Sequence, residues 1–508
     1  MVGFKLIKSF SAAFALGIAA LASSAVSAQT APYTLISNVM EADTRVTAIS
    51  IDFGKPLALN WKLDQAFSVN AELLPLKSYA GDVIANSAAA KAPRKILKAY
   101  TSAKPTPGSA NQGRYVIIEL DPDDFNATSW YVGFNPGIRQ LLPYKENMFY
   151  EVRLLQDLNL VAPNIAPDRP SPIVEVVKAG TLLRQTGAQV ATADHFTQAV
   201  FNLPENQQTK SIGYNFYKPN GLPEGAKVPL IVFLHGSGQS HDTKHFGNDV
   251  AADVKSPLLT NQGGVAWIER GRERAFVLVP QAPARDTSDA RGENGWRSMD
   301  TQKLLLGLID KIIADNPSID PQRLYLTGLS MGARGAWGLL THEDPAISRK
   351  FAAAVLFNGI PSASSAVASS LSGENASQRT ARLASSIRSI DMRRVSVPVW
   401  MTHSDTDSVV PVIGSRLPFA LLTGQALDEQ NGELKVASSI LKSSDRLVRR
   451  YEAKNTFNGA DVRYSEYLFG NGDAFRDLGM FTRHSHFSWE ISFKDQLIID
   501  WLFAQRKR

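Results

Sequence analysis

Across residues 33–160, apolar and polar residues alternate in short runs. Val46, Ala48, Ile49, Ile51 and Phe53 mark one run, Arg114-Tyr115-Val116-Ile117-Ile118-Glu119-Leu120 a second, and Tyr150-Glu151-Val152-Arg153-Leu154-Leu155 a third. A period of two sends successive side chains to opposite faces and predicts β-strands. Turn-forming residues separate the runs, with Asp121-Pro122-Asp123-Asp124 after one strand and Pro105-Thr106-Pro107-Gly108 before another. Strands of this length and spacing predict an all-β, immunoglobulin-like sandwich over residues 29–160. Pro163, Pro167, Pro170 and Pro172 follow, so residues 161–190 read as a stiff linker.

Beyond residue 190 the period changes. Continuous apolar runs at 230–234, 275–280, 323–327, 351–357 and 395–401 predict buried strands. Leu304, Leu305, Leu308, Ile309, Ile312 and Ile313 follow helical spacing, as do residues 331–340 and 490–503. Strands alternating with helices predict an α/β unit over residues 191–508, a mostly parallel sheet with helices on both faces. Two stretches interrupt the rhythm, 361–384 and 413–458, and are expected to be lid insertions over a site at the strand ends.

Composition narrows the classes. The 508 residues are 44% apolar and 20% charged, with no cysteine, which excludes disulfides, thiolate metal sites and a cysteine nucleophile. Lys5 and Lys8, the apolar run 10–21 and Val26-Ser27-Ala28 before Gln29 read as a secretory signal over residues 1–28, so a secreted or periplasmic protein is expected. No later segment is long and apolar enough to span a bilayer. The formal charge of +6 falls by two with Lys5 and Lys8, and the basic residues are dispersed, so no nucleic-acid partner is expected.

The chemistry concentrates at Gly328-Leu329-Ser330-Met331-Gly332, a G-x-S-x-G pattern between a strand and a helix. Small residues on either side let a sharp turn project the serine oxygen, which makes Ser330 a candidate nucleophile. Such a serine needs a base and an orienting acid, which follow it in the order acid, then histidine. Asp405 and Asp407 compete for the acid just past the strand 395–401, and His484 and His486 for the base. An oxyanion pocket needs two backbone N–H groups, expected from Met331 and from Ser237 or Gly238 in the loop after the first apolar strand. Trp296 is assigned to the acyl or alcohol pocket, with packing as the alternative. His241 and His245 sit four apart in a polar, loop-like segment and read as a solvated pair, and His484-Ser485-His486 lacks further ligands, so neither a metal nor a cofactor is expected.

These stretches resemble the secreted α/β-hydrolase esterases related to polyhydroxybutyrate depolymerases and feruloyl esterases, and most closely the group called predicted peptidases, which carry an immunoglobulin-like domain before the hydrolase. The resemblance runs from Pro229–Gly238 through the Ser330 elbow and Pro398-Val399-Trp400 to Asp500-Trp501-Leu502-Phe503. Arg94–Tyr100 and Gly113–Val116 resemble the front domain. The family's H-G-x-x-D-x-x-V-P pattern falls on His403, Asp407, Val410 and Pro411, with Ser404 in place of the glycine, and its H-x-x-W pattern falls on His486 and Trp489. The resemblance thus implies Asp407 and His486 as partners of Ser330. It implies hydrolysis of a small or polymeric ester through an acyl-enzyme, with peptide hydrolysis or a binding role with a vestigial hydrolase as alternatives.

Overall fold

The computed structural model describes residues 31–40, 44–58, 63–73, 90–135, 138–143, 148–163, 171–205, 208–241, 247–271, 273–283, 295–361, 373–407, 409–428, 432–436, 439–443, 446–469 and 485–507. The expected signal, residues 1–28, lies outside them, as do His245 and His484.

Among the described residues the front part is built around two larger sheets, with a two-stranded ribbon beside them. One runs Arg184–Val190, Pro32–Val39, Thr44–Asp52, Tyr115–Leu120, Ile96–Ser102, with the hairpin Thr128–Asn135/Ile138–Pro143 attached to the strand Thr44–Asp52. The other is Ala90–Pro93, Phe67–Leu73, Met148–Leu154. Their inward residues share one core, in which Ile49, Ile51, Val116 and Ile118 from the first sheet meet Val69, Ala71, Val152 and Leu154 from the second. Alternation turns Ala48 and Ile117 the other way, into a small cluster with Ile36 and Tyr100.

The linker expected at 161–190 is largely structured. Ile173–Val177 pairs antiparallel with Leu158–Val161, and Arg184–Val190 pairs parallel with Pro32–Val39. Proline removes a ladder donor only at its own position, so pairing resumes once the chain leaves Pro172. Residues 164–170, which hold Pro167 and Pro170, lie outside the described residues.

The second part is a ten-stranded sheet in the order Thr197–Glu205, Gln208–Tyr217, Phe276–Pro280, Val228–Leu234, Ile319–Leu329, Ala353–Phe357, Val399–Ser404, Asp461–Leu468, Arg446–Lys454, Ser439–Ser443. Among the described residues the six central strands are parallel, as expected, while antiparallel pairs close both edges and make the sheet as a whole mixed. Both faces are covered, which is why the central strands read as unbroken apolar runs. Leu230, Val232 and Leu234 pack with Leu304, Leu308, Ala336 and Trp337, while Ile231 and Phe233 pack with Trp267, Phe493 and Leu502 on the opposite face.

The lid expected at 413–458 is instead part of the body. Ile413–Thr423 is a buried helix whose Leu417, Phe419 and Leu422 enter the main core, and Arg446–Lys454 is a sheet strand. Its many charges hide the strand pattern. They are tolerated because buried partners neutralise them: Arg450 pairs with Asp495, and Arg449 with Glu466 at 3.2 Å. In the other expected lid, residues 362–372 lie outside the described residues, and Ala376–Arg388 is a helix that buries Leu383 and Ile387 in the core. The single helix expected at 490–503 is two, Trp489–Ser492 and Gln496–Phe503, separated where Asp495 caps the second by accepting from the Leu497 N–H.

Candidate active site

Ser330 sits between the strand Ile319–Leu329 and the helix Met331–Leu340 with φ +51° and ψ −115°. A non-glycine residue held there is strained by about 1–3 kcal/mol. The flanking glycines make the turn possible. A Cβ on Gly328 would lie 2.7 Å from the Gly332 carbonyl carbon, and one on Gly332 would lie 1.9 Å from the Leu234 oxygen. The Ser330 N–H donates to the Phe357 carbonyl at 2.9 Å, tying the turn to the neighbouring strand end.

The structure brings His486 and Asp407 to this serine. His486 lies on the short turn Ser485–Phe487, with its Nε2 3.0 Å from Ser330 Oγ and its Nδ1 2.7 Å from Asp407 Oδ2. Its ring packs edge-on against Trp489, centroids 4.9 Å apart, and Ser485 Oγ donates to the Thr406 carbonyl at 2.6 Å. With Nδ1–H given to the carboxylate, Nε2 is left as the acceptor for the serine proton.

Asp407 has a fully buried side chain. Its Oδ1 accepts from the Val409 and Val410 N–H groups at 2.9 and 2.8 Å, and its Oδ2 accepts from Asn358 Nδ2 at 3.1 Å as well as from His486. Burial by itself would raise this carboxyl, but the facing charge of His486 and the hydrogen bonds from His403 and His486 outweigh it and hold Asp407 well below the usual carboxylate range. His403 is buried beneath the loop. Its Nε2 donates to the Val410 carbonyl at 2.9 Å and stands 3.3 Å from Asp407 Oδ2, while Ser415 Oγ lies 2.8 Å from Nδ1. Asp405 points elsewhere, accepting from the Phe469 N–H at 2.9 Å.

The strand Val228–Leu234 delivers His235-Gly236 and the turn Ser237–Gln239 to the same place. A Cβ on Gly236 would stand 2.7 Å from the Leu329 side chain and 3.7 Å from Ser330 Cβ, so the loop that carries Ser237 and Gly238 lies directly beside the serine. Met331 opens the helix on the other side, where first-turn amides have no intrahelical acceptor. His235, which sequence reasoning passed over, braces this loop. Its Nε2 accepts from the Ala282 N–H at 2.9 Å, its Nδ1 donates to the Gly236 carbonyl at 2.7 Å, and burial pushes its pKa down to about 4. Gln239 ties the turn onward through Thr260 Oγ1 at 2.7 Å. Next to Thr260, the Leu259 carbonyl accepts from Thr44 Oγ1 of the front part at 2.7 Å. The front strand Ile138–Pro143 also comes within 8 Å of Ser237–Gln239, measured between Cα atoms.

Among the described residues Trp296 is a packed core side chain. It is 1% exposed, its Nε1 donates to the His235 carbonyl at 3.0 Å, and Gly335 packs flat against its Cβ. Its place is under the elbow helix and behind the His235 loop. His241 donates to Asp253 at 2.6 Å and to the Gly247 carbonyl at 3.0 Å, and among the described residues no cluster of three metal-ligating side chains occurs. Asn358 was also missed. The one local signal, an Asn-Gly pair at a strand end, marks a residue able to take positive φ, which Asn358 does at +47°.

Sheet, elbow and front sandwich together define an α/β-hydrolase fold preceded by an immunoglobulin-like domain. Residues 32–165 match the family model of the esterase immunoglobulin-like N-terminal domain. Over 94% of its length the chain shares the fold of a solved thermostable esterase, covering 100% of that chain at 24% identity and a TM-score of 0.60. Two others align more loosely. For the Pyrococcus horikoshii acylaminoacyl peptidase the identity is 14% over 91% of this chain and 70% of that one, TM-score 0.34. For Thermogutta terrifontis esterase 2 it is 15% over 61% and 93%, TM-score 0.32. No curated protein matches the chain.

Proposed function

We propose that the protein is an exported serine hydrolase that cleaves carboxylic esters through an acyl-enzyme. The observation that carries this reading is the chain Ser330 Oγ, His486 Nε2, His486 Nδ1, Asp407 Oδ2, at 3.0 and 2.7 Å, on a strained strand-to-helix turn. The family of residues 32–165 is described by its occurrence in esterases, which favours an ester over an amide.

In this mechanism Ser330 Oγ attacks the ester carbonyl carbon as His486 Nε2 takes the hydroxyl proton, and Asp407 stabilises the imidazolium that forms. The carbonyl electrons move onto oxygen, where the Met331 N–H and an N–H of Ser237 or Gly238 receive them. Collapse breaks the bond to the alcohol oxygen, which leaves with the proton from His486. A water, deprotonated by the same nitrogen, then attacks the acyl carbon and releases the carboxylic acid and Ser330. No step calls on a metal or cofactor. Among the described residues no helix is long and apolar enough to cross a membrane, and export rests on the signal pattern of residues 1–28.

The test uses purified protein with a matched pair, a 4-nitrophenyl ester and the corresponding 4-nitroanilide. Ester turnover that disappears in Ser330→Ala, with the anilide slower, supports the reading. Retained turnover in Ser330→Ala refutes it, and a faster anilide makes the protein a peptidase. Export is checked by N-terminal sequencing of protein recovered outside the cytoplasm, with Gln29 expected first.

A further inference from the structure

We infer that Asn358 is a positioning residue for the reaction: its side-chain amide holds the Asp407 carboxylate and the His486 segment in register with each other. The inference rests on the reading of Ser330, His486 and Asp407 as the reacting set and adds a fourth side chain to it.

Asn358 follows the strand Ala353–Phe357 and is wholly buried. Its Nδ2 donates to Asp407 Oδ2 at 3.1 Å, the same oxygen that receives His486 Nδ1, and its Oδ1 accepts from Ser488 Oγ at 2.8 Å. Ser488 stands two residues beyond His486, at the start of the short helix Trp489–Ser492. One planar amide therefore touches the acid with its donor end and the segment of the base with its acceptor end. The backbone completes the link. The Asn358 N–H donates to the Thr402 carbonyl at 2.9 Å, and the preceding Phe357 carbonyl accepts from the Ser330 N–H at 2.9 Å. Two consecutive residues thus contact the strands or segments that carry nucleophile, acid and base.

The residue type is constrained from both sides. The corner needs φ +47°, which asparagine reaches at small cost and most residues do not. The site needs one donor and one acceptor on the same short side chain. Aspartate has the right shape but would set one carboxylate against another. Glycine would accept the backbone without strain and remove both bonds. Backbone conformation and side-chain positioning, the two reasons for an asparagine at this corner, therefore separate experimentally.

The experiment compares wild type, Asn358→Gly and Asn358→Asp in the complete mature chain, with 4-nitrophenyl acetate as substrate. The readouts are kcat and KM separately, the rate of fluorophosphonate labelling of Ser330, and the thermal midpoint. Asn358→Gly is expected to lower kcat and the labelling rate about 10- to 100-fold, the scale of a small misplacement of reacting groups, with KM nearly constant and the midpoint within a few degrees. Asn358→Asp is expected to lose more. Wild-type kcat in Asn358→Gly, or a loss confined to KM, overturns the inference, and wild-type kcat in Asn358→Asp overturns it whether or not the glycine variant folds. Ser330→Ala is assayed alongside: if it stays active the reacting set itself is wrong, whereas a dead Ser330→Ala with a fully active Asn358→Gly removes only the role of Asn358.

Discussion

Asp405 and Asp407 stand two residues apart on one loop, yet they serve opposite ends of it: Asp407 Oδ2 meets His486 Nδ1 at 2.7 Å, while Asp405 Oδ1 caps the Phe469 N–H at 2.9 Å. Asp407→Asn keeps an acceptor oxygen but loses the charge that stabilises an imidazolium, and it permits the wrong ring tautomer. A loss of about three to four orders of magnitude in kcat is expected. Asp405→Asn retains the oxygen that accepts from Phe469, so a change of less than about tenfold is expected. The measurement is steady-state kcat for both variants on one ester, and equal losses would show that the loop works as a single unit.

The strain at Ser330 leads to a second expectation. Glycine adopts φ +51° without penalty, so Ser330→Gly should be inactive and yet more stable than wild type by about 1–3 kcal/mol, the cost of such a conformation. Ser330→Ala should be equally inactive without that gain, because alanine keeps the Cβ. Urea midpoints of the three proteins decide it. If glycine and alanine coincide, the turn holds no strain.

Much of this architecture is legible because its causes are local. The Ser330 elbow announces itself through glycines at 328 and 332 that the turn needs sterically, and the front strands through side chains that alternate between core and surface. What was not legible depends on partners distant in the chain. Arg446–Lys454 looks too charged for a strand until Arg450 meets Asp495 and Arg449 meets Glu466. The linker between the two parts dissolves because Arg184–Val190 finds Pro32–Val39. Asn358 is one polar residue among many until folding supplies Asp407, 49 positions away, and Ser488, 130 away. Trp296 fails in the other direction. A tryptophan flanked by glycines suggests a pocket wall, but Gly335 gives it a flat bed to pack on and His235 accepts its N–H.

The burial of Trp296 can be tested against the pocket role. Trp296→Ala should cost about 3–5 kcal/mol of stability, the range for removing a fully buried large aromatic side chain. Trp296→Phe should cost less, mainly the hydrogen bond to the His235 carbonyl, about 1 kcal/mol and more if that oxygen stays unpaired. In Trp296→Phe the ratio of kcat/KM between acetyl and longer acyl esters should match wild type. A change in that ratio would return Trp296 to the substrate pocket.

His235 makes stability depend on pH with a definite sign. In the native state it is neutral, because burial pushes its pKa down to about 4 and because Nε2 must remain an acceptor for the Ala282 N–H. In the unfolded chain it titrates near 6.5. Between these values the unfolded state binds a proton that the native state does not, so stability rises with pH across the window. The contribution is complete above about pH 6.5 and is lost as pH falls towards 4, by about 3 kcal/mol in all at 1.36 kcal/mol per unit. Comparing urea midpoints between pH 7 and pH 4 for wild type and His235→Gln isolates this share, since the other titrating groups act in both proteins. The wild type should fall more steeply. Parallel curves would mean that His235 is not held neutral in the fold. A proton on Nε2 would also cost the Ala282 bond and free the loop beside Ser330, so this contribution to slower fluorophosphonate labelling of wild type should set in only as pH approaches 4, where native His235 itself takes the proton.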